Sequence, residues 1–248
     1  MIKAIATHRT IRAFSERKID NNILDEILVA ASRASTTGGM QLYSMVVTQS
    51  DQGKELLSPC HFNQPCVRQA GAVVTFCADV NRFTQWCLQR GAEPDYHNFM
   101  WWVNAAIDAL LASENFALEA ENQGLGIVYL GTTTYTARRI IEILELPRGV
   151  VPVTTVAVGY PSVNPPLTPR LPMEAVVQYE RYTPFTSEKI DELYSEMENS
   201  DFTKKLLDEN GLENLAKIFT ERRYKGEDSL KFSKEYFEVL AQQGFIEF

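Results

Sequence analysis

His8, Arg9 and Arg12 stand close together near the start of a chain whose formal net charge is −8. A guanidinium makes directional, charge-assisted hydrogen bonds to phosphate or carboxylate, so such a cluster can hold an anion. On a continuous helix His8 and Arg12 share a face while Arg9 points roughly 100° away. The three converge only if the helix ends near residue 9 and the chain turns. Arg170 adds a fourth basic group on NPPLTPRLP, residues 164–172, a loop stiffened by its prolines. Solvated surface near a terminus is the competing reading, and residue chemistry alone leaves both open.

Other chemistries find less support. The sequence contains no G-x-G-x-x-G, no P-loop pattern and no G-x-S-x-G elbow. In GLGIVYLG a strand follows the first glycines where a phosphate-binding helix is needed. The three histidines, His8, His61 and His97, are dispersed, and neither C-x-x-C nor H-E-x-x-H occurs, so no metal site is expected. His61 beside Cys60 is not a convincing dyad, because adjacent residues on a regular element point apart. The four cysteines, Cys60, Cys66, Cys77 and Cys87, come without a secretion signal and are expected as reduced thiols in a cytoplasmic protein. A pI near 5.1 argues against nucleic acid as a partner, and no apolar run is long enough to suggest a membrane span.

These residues need elements to position them. The spacing predicts a short helix over residues 2–8 and an amphipathic helix over DNNILDEILVAASRA, with Asp20 as its N-cap. STTGG then breaks the pattern, and QLYSMVVTQ follows as a strand. KELLSPCHFNQPCVRQAG predicts a short helix, a loop and a further helical turn, and AVVTFCAD predicts a strand. NRFTQWCLQRGAEPDYHN carries no legible pattern and is expected as a surface excursion. A long helix should run from about residue 96 to 122 and stop near Gly124; its alanine-rich face suits close packing against a twin helix. GIVYLG predicts a strand, YTARRIIEILELP a helix, VPVTTVAVGYP an interior strand and AVVQYERY another strand. A charged helical tail follows. The expected fold class is α+β, with a core over 1–182 and a helical C-terminal extension over 183–248.

Taken in order, the segments resemble the nitroreductase family of flavoproteins, in particular its larger oxygen-insensitive NADPH-dependent group. HRTIRAF is similar to the family's opening HR-S-I-R-x-F. ASRASTTGGMQ, QAGAVVTFCAD, the long central helix, ENQGLGIVYLG, LPRGVVPVTTVAVGYP and NPPLTPRLP follow in the family's order, and ERRY…FEVLAQQGF is more loosely similar to its tail. The resemblance implies a central, mostly antiparallel sheet surrounded by helices in an intertwined, obligate homodimer that holds FMN at its interface. It implies that Arg9, Arg12 and Arg170 meet the flavin phosphate, with His8 and Thr10 nearby.

The same resemblance brings Ser35, Thr36, Thr37 and Gln41 in from the partner subunit. Gln64 falls on the pyrimidine side of the flavin. Tyr129, Leu130 and Gly131 fall beside the opposite face, with the Gly131 N–H near N5. The implied activity passes hydride from NAD(P)H, NADPH favoured, to nitroaromatic or quinone acceptors in ping-pong turnover, without a catalytic acid or base from the protein. A flavin or quinone reductase with a non-nitro acceptor, and an FMN-binding sensor or store, stay open as alternatives. The chain departs from the group at Thr168, where a lysine is usual. Arg222, Arg223 and Lys225 are candidates for the 2′-phosphate of NADPH.

Overall fold

The run AVVTFCAD is buried at every position, as a continuous apolar strand in the middle of a sheet must be. In the computed structural model, which describes residues 1–247, it forms β2 (Ala72–Asp79). Its neighbours are β1 (Tyr43–Thr48) on one side and β4 (Val150–Gly159) on the other, with β3 (Gly126–Tyr129) beyond β4. All three pairings are antiparallel, in the order β1-β2-β4-β3. This matches the α+β expectation.

One face of the sheet carries α2 (Asn21–Ser32) and α6 (Phe99–Asn122). Asp20 caps α2 by accepting from the Asn22 N–H at 2.8 Å, and α6 gives way at Gly124 in the left-handed region. The other face carries α3 (Asp51–Leu57), α4 (Pro65–Gln69) and α7 (Ala137–Leu144), packed with Ile11 and Phe14. α1 (Lys3–Thr7) precedes them in the chain.

Three expectations need correction. The alanines of α6 do not face outward: Ala105, Ala109, Ala112, Ala117 and Ala120 lie buried with Phe116 against this chain's own sheet and helices. Small side chains let the helix lie close to its neighbours, leaving Met100, Ile107, Leu110 and Leu111 on its exposed side. NRFTQWCLQ is no excursion but a helix, α5 (Asn81–Gln89), whose Phe83 packs on Trp86 and Tyr96. AVVQYERY is not a strand. Its first residues end the short helix α8 (Met173–Val176), and Tyr179 and Tyr182 are exposed. Strand propensity expresses a fit to a neighbouring pleated surface, and no described strand pairs with this segment.

The chain forms two compact units. One comprises Met1–Pro165 together with the chain from Phe232 onward; the other is Pro166–Lys231. The second is helical, with α9 (Ser187–Asn199), α10 (Asp201–Asn210), α11 (Leu215–Lys217) and a π-helical turn over Ile218–Arg223. α12 (Gly226–Gln242) begins in it, and its later turns pack Val239 and Leu240 into the first unit. Among the described residues no helix is long and apolar enough to cross a membrane.

Candidate functional site

α1 ends at Thr7, and from His8 the chain runs extended beside β3. Thr10 bridges Ile127 in parallel, and the Ile11 N–H donates to the Ile127 carbonyl at 2.9 Å. Neighbours on an extended chain point to opposite sides, so the turn needed to gather all three basic residues is absent. His8 Nδ1 meets Glu121 Oε1 at 2.8 Å near the end of α6. Arg9 lines a cavity of about 450 Å³ together with Glu121, Gly126, Ser162 and Asn164. Its Nε is buried without a partner, as is Glu121 Oε2. Arg12 is not among the walls of that cavity; it is exposed. Burial pushes the Cys66 thiol of α4 up, and the Arg12 charge pulls against it. The structure thus separates Arg9 from Arg12.

The loop before Gln64 and the turn after the 129–131 segment are tied together by hydrogen bonds. Gln64 sits at the N-terminus of α4, half-buried. Just before it, His61 is fully buried, and its Nδ1 meets Thr132 Oγ1 at 2.9 Å. Thr136 Oγ1 donates to the Cys60 carbonyl at 2.8 Å, and Thr133 Oγ1 to the Leu130 carbonyl at 2.8 Å. The turn after β3 is therefore tied to the loop before α4 at two points. The three residues of 129–131 differ in what they offer. Leu130 is buried, so only its backbone is available. The Tyr129 hydroxyl reaches back to Ser113 and Glu114 on α6, and burial raises its pKa. Gly131 is exposed, a Cβ on it would meet nothing within 4 Å, and no described residue accepts its N–H.

His61 makes this tether dependent on pH. Burial pushes its imidazole down to about 4 from an ordinary 6.5, so the folded ring is neutral where the unfolded ring takes a proton. The contribution is complete above pH 6.5 and is lost as pH falls toward 4, amounting to about 3 kcal/mol if fully expressed. Urea unfolding across that interval should therefore show a steeper loss of stability in wild type than in His61→Gln. Equal slopes would remove His61 as the source.

The 35–41 segment takes its shape from polar contacts. Asp108, 1% exposed in the middle of α6, accepts from the Thr37 N–H at 2.9 Å, from Thr37 Oγ1 at 3.1 Å and from the Leu42 N–H at 3.1 Å. Gly38, Gly39 and Gln41 adopt left-handed backbone, which lets so short a loop return to the helix. Ser35 and Gln41 are exposed and Thr36 half-buried. Thr37 spends its hydroxyl proton on Asp108, so only its oxygen remains free. Asp108 and Glu121, which hold Thr37 and His8, are separated by roughly 20 Å of helix rise.

Arg170 lies in the second unit, exposed, with Nη1 donating to the Thr168 carbonyl at 3.0 Å. Arg222 and Arg223 end the π-helical turn of that unit. Sequence reasoning assigned no role to Asp108, Glu121, Thr132 or His61. For Asp108 a signal existed: a lone acid inside AAIDALLAS shares a helical face with Ala105 and Ala112, both buried.

Residues 5–160 match the nitroreductase family. Among curated proteins, the chain is 33% identical over 183 residues to an FMN reductase (NADPH) of Bacillus subtilis strain 168, covering 73% of this chain and 74% of the relative. It is 32% identical over 197 residues to an oxygen-insensitive NADPH nitroreductase of Salmonella typhimurium LT2, covering 79% of each. A crystal structure from Bacteroides fragilis NCTC 9343, provisionally assigned as an oxidoreductase, superposes with a TM-score of 0.97 at 45% identity, covering 99% of this chain and all of that one. A nitroreductase from Bacillus subtilis superposes at 0.86 with 26% identity over 98% of both chains. With a family match over most of the chain and curated relatives above 30% identity over more than two thirds of it, the chain belongs to the nitroreductase family.

Proposed function

We propose that the protein is an FMN-dependent, NAD(P)H-oxidising reductase that works as a homodimer and turns over by a ping-pong sequence. FMN, when bound, supplies the redox chemistry, accepting hydride from NAD(P)H and passing it to a nitroaromatic or quinone. Family membership and the activities named for its relatives support the reductase class.

The observation that carries the reading to this chain's own residues is Gly131. Its N–H has no described acceptor, and the space a side chain would occupy is open. A flavin edge needs such a donor approachable at close range. Fixing the donor on a rigid turn avoids reorganisation when charge develops opposite it. His61, Thr132 and Thr136 hold that turn. Gln64 offers amide groups on the adjoining loop, and Thr10 and Arg12 offer a hydroxyl and a cation suited to a phosphate. Arg170, which the family resemblance adds to the phosphate, lies in the second compact unit and donates to the Thr168 carbonyl. The donor set therefore fits a flavin mononucleotide. Arg9 enters less directly, since it faces the cavity shared with Glu121.

The homodimer rests on the outer side of α6. Met100, Ile107, Leu110 and Leu111 are 62%, 48%, 47% and 43% exposed, a contiguous apolar stripe on a helix whose inner side is already packed. A second copy across this stripe would cover it and offer its own 35–41 loop, with Ser35, Thr36, Thr37 and Gln41, to the site.

The test is the absorption spectrum of purified protein before and after anaerobic NADPH. Flavin bands that bleach on addition, and return with a nitroaromatic or quinone, are expected. Protein that takes up no FMN would overturn the reading. Flavin that binds but resists both NADPH and NADH would overturn the reductase part of it.

A further inference from the structure

We infer that Asp108 is a positioning residue for the flavin site, acting through the 35–41 loop. The inference rests on the proposed reading that this loop covers the cofactor from the partner subunit. A carboxylate buried in the middle of a helix is costly unless donors surround it. The donors here are not general core groups. All three belong to Thr37 and Leu42, the two ends of the turn that displays Gly38, Gly39 and Gln41. The turn has little apolar packing of its own, for Gly38, Gly39 and Gln41 are exposed and Met40 is only half-buried.

Arg82 completes the hold. Its Nη2 donates to the carbonyls of Gln41 and Tyr43. The backbone N–H of Arg82 in turn donates to Asp79 Oδ1 at 3.1 Å, and the other oxygen of Asp79 accepts from Ser44. An acid inside α6 thus holds N–H groups at both ends of the loop, and a base at the start of α5 holds the Gln41 and Tyr43 carbonyls where the loop runs into β1. A loop with several left-handed residues and few apolar contacts would otherwise sample many conformations, and a cofactor would have to select one of them.

Asp108→Asn keeps size and shape while turning one oxygen into a donor that faces another donor. The expected result is an FMN dissociation constant raised about tenfold. Amide exchange at Thr37 and Leu42 should be faster, with the secondary structure unchanged. Thr36→Ala separates positioning from mere support. If Asp108 acts through the loop, removing the Thr36 hydroxyl should cost less FMN affinity in the Asp108→Asn background than in wild type.

Faster exchange at Thr37 and Leu42 with unchanged FMN affinity would overturn the proposal. Strictly additive effects of the two substitutions would do so as well. If Asp108→Asn does not fold, Arg82→Gln, on an exposed side chain, loosens the same turn and should shift FMN affinity in the same direction; no shift would be equally decisive. Wild type that binds no FMN at all would fail the underlying reading, an outcome distinct from a variant that binds as well as wild type.

Discussion

Ile107→Asp is expected to yield a folded monomer that no longer retains FMN. In the single chain Ile107 is 48% exposed, so the carboxylate has access to water and the helix loses no core contact. In the proposed homodimer the position would change character. Two aspartates would be carried into an apolar stripe built from Met100, Leu110 and Leu111, with no cation from that stripe to meet them. An unpaired carboxylate buried there costs several kcal/mol per copy, which corresponds to weakening of association by at least about a thousandfold.

Sedimentation and thermal unfolding separate the two halves of this expectation: the mass should halve while the unfolding transition of the chain remains. Flavin content then tests whether the site is shared. A monomer that keeps its flavin would show that the 35–41 loop is not contributed by a second copy. A dimer that persists would show that association uses another surface.

The architecture was legible where burial and period agree. AVVTFCAD was legible as a strand, because a β-prone run there is bounded by glycine and aspartate; its place inside the sheet is what the structure adds. VPVTTVAVGYP and the long helix were legible as well. What composition does not disclose is direction. The alanines of α6 announce close packing without saying against what, and the neighbour turns out to be the chain's own sheet.

AVVQYERY shows the complementary failure, since β-branched residues without an adjacent edge do not make a strand. α5 does place Phe83, Trp86 and Cys87 at helical spacing, but over little more than two turns, too short a run to stand out from the polar residues around it. In the site, residue types pointed to the basic segment but not to its splitting, which depends on where α1 stops. Asp108 and His61 act through hydrogen bonds across 66 to 71 residues of sequence, and no local pattern carries such a pairing.

Arg12→Ala should weaken FMN binding roughly tenfold to hundredfold, the range expected for losing a charge-assisted contact to a phosphate. Arg12 is exposed and makes no ion pair within the described residues, so the folded chain should be indifferent to its loss and the melting temperature should hold. Arg9 is the informative contrast. It borders Glu121 in a separate cavity with its Nε buried, and its truncation should be felt in stability before it is felt in cofactor affinity. Ionic strength gives a second reading of the same contact. Attraction between an exposed guanidinium and a phosphate is screened by salt, so the FMN dissociation constant of wild type should rise with salt more steeply than that of Arg12→Ala. Equal dissociation constants and equal salt slopes for the two proteins would remove Arg12 from the phosphate site and leave it as solvated surface beside Cys66.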